Sequence, residues 1–171
     1  MTTTSPHEDC CTPQGAATAR TGVHCPSCGT KGRAVKPITI EALVTEQARA
    51  RVRTSEGFRF CAEPSCDIAY FHHDSGNRFL IDDVRVGIGQ KGDASPRVVC
   101  YCFDHTIEEI EAEVVATGAS TIPDAIGEKC KQGLDRCEET NPQGSCCLGN
   151  VRAVVKNLLD TSPLVKQADQ R

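Results

Sequence analysis

Cys25-Pro26-Ser27-Cys28-Gly29 is the stretch from which the fold is read. Two thiols stand three residues apart, with a glycine behind them that lets backbone amides turn toward sulfur, the local form of a metal knuckle. A second pair, Cys61 and Cys66, brackets Ala62-Glu63-Pro64-Ser65, where Pro64 and Ser65 favour a turn. Two such chelates supply the four donors of a tetrahedral structural site, and the chain between them must bring one pair back to the other. The spacing therefore predicts a zinc site at Cys25, Cys28, Cys61 and Cys66, with no open position for catalysis. An iron-only site on the same ligands is a smaller rival, and reduced core thiols or two local disulfides are the plain alternative. His24 reads as a neighbour of the knuckle. His72-His73 reads as a strand pair facing opposite ways, unsuited to joint capture of a metal.

Working outward, Thr39 is a candidate N-cap for a helix over about 40–50, with Ile40, Leu43, Val44 and Gln47 at helical spacing. Phe58 and Phe60 alternate with Arg59, Ile68-Ala69-Tyr70-Phe71 is a short apolar run, and Val84, Val86 and Ile88 alternate again, each a strand signal. The stretch Gly89-Gln90-Lys91-Gly92-Asp93-Ala94-Ser95-Pro96 marks a boundary. The expected class is α+β: a small zinc-binding α+β domain over 24–92, then a small helical domain over 93–159. Polar segments 1–23 and 160–171 read as a disordered tail and a short polar tail.

Composition narrows the function. The chain has 171 residues, twelve cysteines and no Trp, too few aromatics for one large core. The first twenty residues hold no apolar run of signal-peptide type, and nothing later approaches a membrane span, so a cytoplasmic, reducing setting with free or metal-bound thiols is expected. The formal charge is -4, and each four-thiolate site adds roughly -2 once metallated. Lysines and arginines are scattered, which argues against nucleic acid and points to a redox or metal-trafficking protein partner. No Ser-His-Asp arrangement or phosphate loop stands out, so an enzyme in the usual sense is not expected.

The second half has its own thiols. Cys100-Tyr101-Cys102-Phe103 follows Val98-Val99, and in extended backbone its two thiols share one face while Tyr101 and Phe103 share the other. Thr106-Ile107-Glu108-Glu109 forms a capping box for a helix that stops at Gly118. Ile122, Ile126 and Cys130 recur before Gly133, and Leu148, Val151, Val154 and Leu158 define a last helix. Cys130 reads as a core thiol and His105 as a surface histidine. Cys137 and the pair Cys146-Cys147 complete the set, and helix N-termini after Cys102 and at Cys147 would offset an anionic centre. The spacing matches neither common ferredoxin pattern, leaving [2Fe-2S], [4Fe-4S] and a second zinc open.

From Cys25 to about Val155 the sequence resembles the amino-terminal region of CopZ-type copper chaperones. The carrying residues are Cys25-Pro26-Ser27-Cys28-Gly29, Phe60-Cys61, Cys66, Tyr70-Phe71, Cys100-Tyr101-Cys102 and Asn141-Pro142-Gln143-Gly144-Ser145-Cys146-Cys147-Leu148-Gly149. The resemblance implies a zinc-binding domain followed by a bacterioferritin-associated-ferredoxin-like [2Fe-2S] domain, with cluster ligands Cys100, Cys102, Cys137 and Cys147. Resemblance and position at a helix start favour Cys147 over Cys146. Full-length members also carry a heavy-metal-associated domain with its own Cys-x-x-Cys copper loop, expected to be absent before Cys25 and after Val155. The expected function is a zinc- and [2Fe-2S]-containing one-electron redox protein linked to copper or other soft-metal handling. The alternative is a chaperone or scavenger holding Cu(I) or Hg(II) on the tail thiols Cys10-Cys11, with both metal sites structural.

Overall fold

The computed structural model describes residues 22–92 and 95–161. Its first half is a four-stranded antiparallel sheet in the order β1 (Arg33–Ala34), β2 (Phe58–Phe60), β3 (Ile68–His72), β4 (Arg78–Leu80). Alternation along β2 sends Phe58 and Phe60 into a core with Ile40, Leu43, Val44, Tyr70 and Phe79. On β3 a register shift between Ile68 and Tyr70 interrupts the alternation. Tyr70 then joins that core, while Ile68 and Phe71 pack with Cys25, Cys61 and Cys66. The sheet thus has an aromatic core and a separate apolar nest for thiols.

Two helices replace the single one expected over 40–50. Helix α1 (Pro37–Leu43) starts three residues early, because Pro37 has the φ of a first helical residue and needs no donor there. Thr39 is therefore inside the helix and fully buried, not its cap. Val44 then turns extended, and Thr45 caps α2 (Glu46–Arg49) by accepting from the Ala48 amide at 3.4 Å. The alternation Val84-Val86-Ile88 does not become a strand. A 3-10 turn at Ile81–Asp83 precedes it, and Val84 makes only an isolated bridge to Val44.

The second half contains β5 (Val98–Cys100) paired with β6 (His105–Thr106), then α3 (Ile107–Thr117), α4 (Ile122–Lys131), α5 (Cys137–Thr140) and α6 (Leu148–Thr161). Thr106 accepts from the Glu109 amide at 3.1 Å and Gly118 closes α3 in the left-handed region, as the capping pattern predicts. The Glu109 carboxylate meets His105 Nδ1 at 3.0 Å instead of completing the box. Val99, Ile110, Val114, Ile122, Ile126 and Val151 form a second core that includes Cys100 and Cys147. Mixed helix and sheet makes the class α+β. Among the described residues no helix is long and apolar enough to cross a membrane.

One short segment joins the halves. Tyr70, fully buried, donates its hydroxyl to the Pro142 carbonyl at 2.7 Å, and Thr39 donates to the Glu138 carbonyl at 2.7 Å. Gly144, at φ 64°, lies where a Cβ would come within 3.0 Å of Thr39 Oγ1 and 3.1 Å of Val35 Cγ1, so α1 and this turn meet without a side chain between them. Arg33 reaches Ser145 Oγ at 2.8 Å, and Lys36 pairs with Glu138 at 2.5 Å.

Candidate metal centres

Cys25, Cys28, Cys61 and Cys66 bring all four sulfurs within 4.8 Å of one another. Short-range backbone bonds build this. The Gly29 amide donates to the Cys25 carbonyl at 2.9 Å and Cys25 N to Thr30 O at 2.8 Å, closing the first turn. Cys61 leaves the end of β2 with its amide on Ala69 O at 2.9 Å, and Cys66 N donates to Glu63 O at 3.2 Å. Cys25 and Cys66 lie 3.8 Å apart, Cys28 and Cys61 3.5 Å. Cys25, Cys61 and Cys66 are buried and only Cys28 is exposed.

The protonation pattern fits a cation. Burial raises the Cys25 thiol and pushes Cys61 far above the usual thiol range. Burial acts the same way on Cys28, but the Thr30 hydroxyl and amide, with Cys61 and Cys25, outweigh it and bring that thiol to about 6. Lys91, 2% exposed, donates to the Glu63 carbonyl at 2.7 Å and the Cys66 carbonyl at 2.8 Å. Its charge also lowers the Cys61 thiol. A buried ammonium held by two neutral carbonyls is costly unless an anion lies near, and a dication on four thiolates leaves about -2. The donor set and its counter-charge agree.

The second thiols are arranged differently. Cys102 and Cys137 sulfurs are 3.4 Å apart, and Cys100 and Cys147 make a second side-chain contact. That contact, ahead of burial, holds Cys100 at about 6, helped by the Phe103 amide and His105, and pushes Cys147 far up. Burial raises Cys137. Cys102 also receives the Arg136 amide at 3.3 Å and lies 3.2 Å from Thr140 Oγ1. Among the described residues, the first set is the one group of three or more such side chains gathered tightly enough for a single metal ion. The second set is two pairs.

Several expectations change here. Strand β5 ends at Cys100 and Cys102 sits in the following turn, where Asp104 has φ 60°, so the two thiols are not neighbours on one extended face and each meets a different partner. His105 is not a surface residue: its side chain is 16% exposed, and Nε2 is buried with no partner among the described residues. Cys146 is exposed, whereas Cys147 is buried. His72 and His73 do not diverge, since β3 ends at His72; their rings stack at 4.8 Å. His72 Nδ1 accepts the Asp74 and Ser75 amides and His73 Nδ1 faces Gly57 O, so those nitrogens are already engaged. Lys91 and the Tyr70 hydroxyl are not singled out from the sequence, and Thr39 reads there only as a helix cap; burial and the partners it brings reveal their places. Cys10 and Cys11 lie outside the described residues.

A closed thiol quartet beside a small antiparallel sheet defines a zinc-binding domain, and residues 22–85 match the CopZ family described as a zinc binding domain. The chain is similar to the copper chaperone CopZ of Archaeoglobus fulgidus, 29% identical over 126 residues, which is 73% of this chain and 58% of that protein. It therefore spans little more than half the length of this curated relative. The structure is similar to the X-ray structure of the Archaeoglobus fulgidus CopZ N-terminal domain, with a TM-score of 0.63 and 27% identity over 77% of this chain and 96% of that one. The matched region, residues 22–85, is thus a CopZ-type zinc-binding domain carrying the four-cysteine set.

Proposed function

We propose that the chain is a zinc- and [2Fe-2S]-containing one-electron redox protein linked to copper or other soft-metal handling, acting in the cytoplasm. Cys25, Cys28, Cys61 and Cys66 are the zinc ligands in a domain over 24–92. Cys100, Cys102, Cys137 and Cys147 hold the cluster in a domain over 93–159. The observation that carries the reading is the contrast between one quartet and two pairs: a single tetrahedral ion suits the first, and a dinuclear centre, two thiolates to each metal, suits the second. The buried unpartnered nitrogen of His105 beside that site fits a group with acceptor sulfurs.

Such a cluster, when bound, takes up and returns one electron. The chain's own residues would set how easily. The Arg136 amide, which donates to Cys102, stabilises negative charge on that sulfur, which favours the reduced state. Cys102 is the partly exposed member, while Cys100, Cys137 and Cys147 are buried, so the Cys102 edge is where a partner would approach. Similarity to a protein named as a copper chaperone supports copper as the metal concerned.

Metal and sulfide analysis of anaerobically purified protein tests this. About two irons, two sulfides and one zinc per chain are expected, with visible absorption that bleaches reversibly on reduction and gives a paramagnetic signal. Two zincs and no sulfide would overturn it.

A further inference from the structure

Arginines alternate at 49, 51 and 53, through the end of α2 and the link that leads to β2, and they are used differently. Arg51 is committed to the fold: its Nε donates to the Ala48 carbonyl at 3.3 Å and its guanidinium meets Asp83 at 2.7 Å. Arg49 and Arg53 have no acidic partner among the described residues, and Arg49 Nε is buried without a hydrogen-bond acceptor. Both line a cleft of about 420 Å³ between α1 and this link, together with Glu41 and Glu56, whose carboxylates are equally unpaired among the described residues. The Thr54 hydroxyl accepts the Glu56 amide at 3.0 Å and fixes that wall. Elsewhere on this surface opposite charges that can reach each other do so, as at Arg97 with Glu108 and Lys156 with Asp160. Here two charges of each sign share one cleft and stay apart.

We propose that this cleft binds a small zwitterion of the amino-acid class, its carboxylate on the Arg49 and Arg53 guanidinia and its ammonium on Glu41 and Glu56. A plain anion would answer the arginines but face two carboxylates, and a plain cation would meet the reverse; a molecule carrying both signs answers all four groups. The planar fork of a guanidinium matches a carboxylate through two parallel hydrogen bonds, which makes arginine the better residue for this half of the site. As it stands, Arg49 Nε forgoes a hydrogen bond at the cost of a desolvated donor, and a carboxylate held in that fork would supply the acceptor. The cleft volume falls in the range of small-molecule sites. No cysteine lines it, so the inference goes beyond the proposed redox role and depends on neither metal.

The test is calorimetric titration of the full, metallated chain with L-glutamate, glutarate and inorganic phosphate in parallel. L-Glutamate is expected to bind saturably at one site per chain. Glutarate, which lacks the ammonium, and phosphate should each bind at least about tenfold more weakly. Arg49→Met and Arg53→Gln should each weaken L-glutamate about tenfold with zinc content unchanged. Because Arg53 is exposed, its variant keeps the test valid if Arg49→Met misfolds. The double variant Glu41→Gln/Glu56→Gln should erase the difference between L-glutamate and glutarate. Glutarate or phosphate binding as tightly as L-glutamate to the unaltered chain would reduce the site to a plain anion cleft and overturn the inference. So would full affinity in Arg53→Gln, or the absence of saturable binding at millimolar L-glutamate.

Discussion

The two sets of cysteines differ in how much chain it takes to assemble them. In the first half, two turns of a few residues each carry a pair of sulfurs, and one sheet brings the turns together. In the second half the sulfurs come from β5, the turn after it, the start of α5 and the residue before α6. Two of those segments, around Cys137 and Cys147, also flank the turn that rests on α1 and Tyr70. The quartet is therefore locally determined, whereas the pairs depend on the first half being folded. Dependence should run one way.

The largest effect tests that direction. Cys61→Ser should drop zinc from one per chain to none and abolish cooperative unfolding of the first half, since structural zinc contributes about 10–16 kcal/mol of apparent folding energy. The proposed iron centre should be lost with it. The reverse variant, Cys147→Ser, should lose iron while zinc stays at one per chain and the first half still melts cooperatively. Metal analysis with thermal unfolding decides, and a zinc-free variant that kept its iron would falsify the one-way dependence.

A smaller change probes the joint directly. Tyr70→Phe strands the buried Pro142 carbonyl at a cost of about 1–3 kcal/mol. Denaturant midpoints should fall by that amount, and cluster loss in air should quicken with zinc content unchanged. Zinc loss in this variant would show that Tyr70 serves the first half, not the joint.

Lys91→Met acts on the quartet alone. It leaves the Glu63 and Cys66 carbonyls without their donor, again about 1–3 kcal/mol, and removes the charge that lowers Cys61. The sign with pH follows from the thiols. Burial raises Cys25 and Cys61 in the absence of metal, so protons compete with zinc and its release grows as pH falls. Removing the ammonium raises Cys61 further, and the midpoint of zinc release to a chromogenic chelator should move to higher pH. An unchanged midpoint would refute a counter-charge role.

The smallest effect belongs to a purely local feature. Thr106→Ala removes the α3 cap and should cost about 1 kcal/mol, seen as a shifted second-half transition with both metals retained.

What could be read in the sequence follows the same division. Cys25-Pro26-Ser27-Cys28 and the Thr106 cap are legible because the residues that interact are close in the chain. The partner of Cys102 is Cys137, thirty-five residues away, and no short pattern announces it. Thr39 was misjudged because its hydroxyl answers a carbonyl ninety-nine residues on, while Pro37 sets the helix start. Strands β1 and β4 are short, and β4 offers one buried residue, Phe79, too little for a period to show. Lys91 lies in a glycine-rich stretch where a lysine ordinarily signals solvent. Only the folded chain turns it inward.

The turn at Asn141–Ser145 gives the molecule a grammar of its own. A shuffled gene that grafted the second half onto another carrier would also have to transplant a tyrosine hydroxyl at the reach of Pro142 and a bare helix face able to admit Gly144. The halves are thus fitted to each other at this turn, and in swaps with distant relatives the seam, more than the thiols on either side, should decide which hybrids fold.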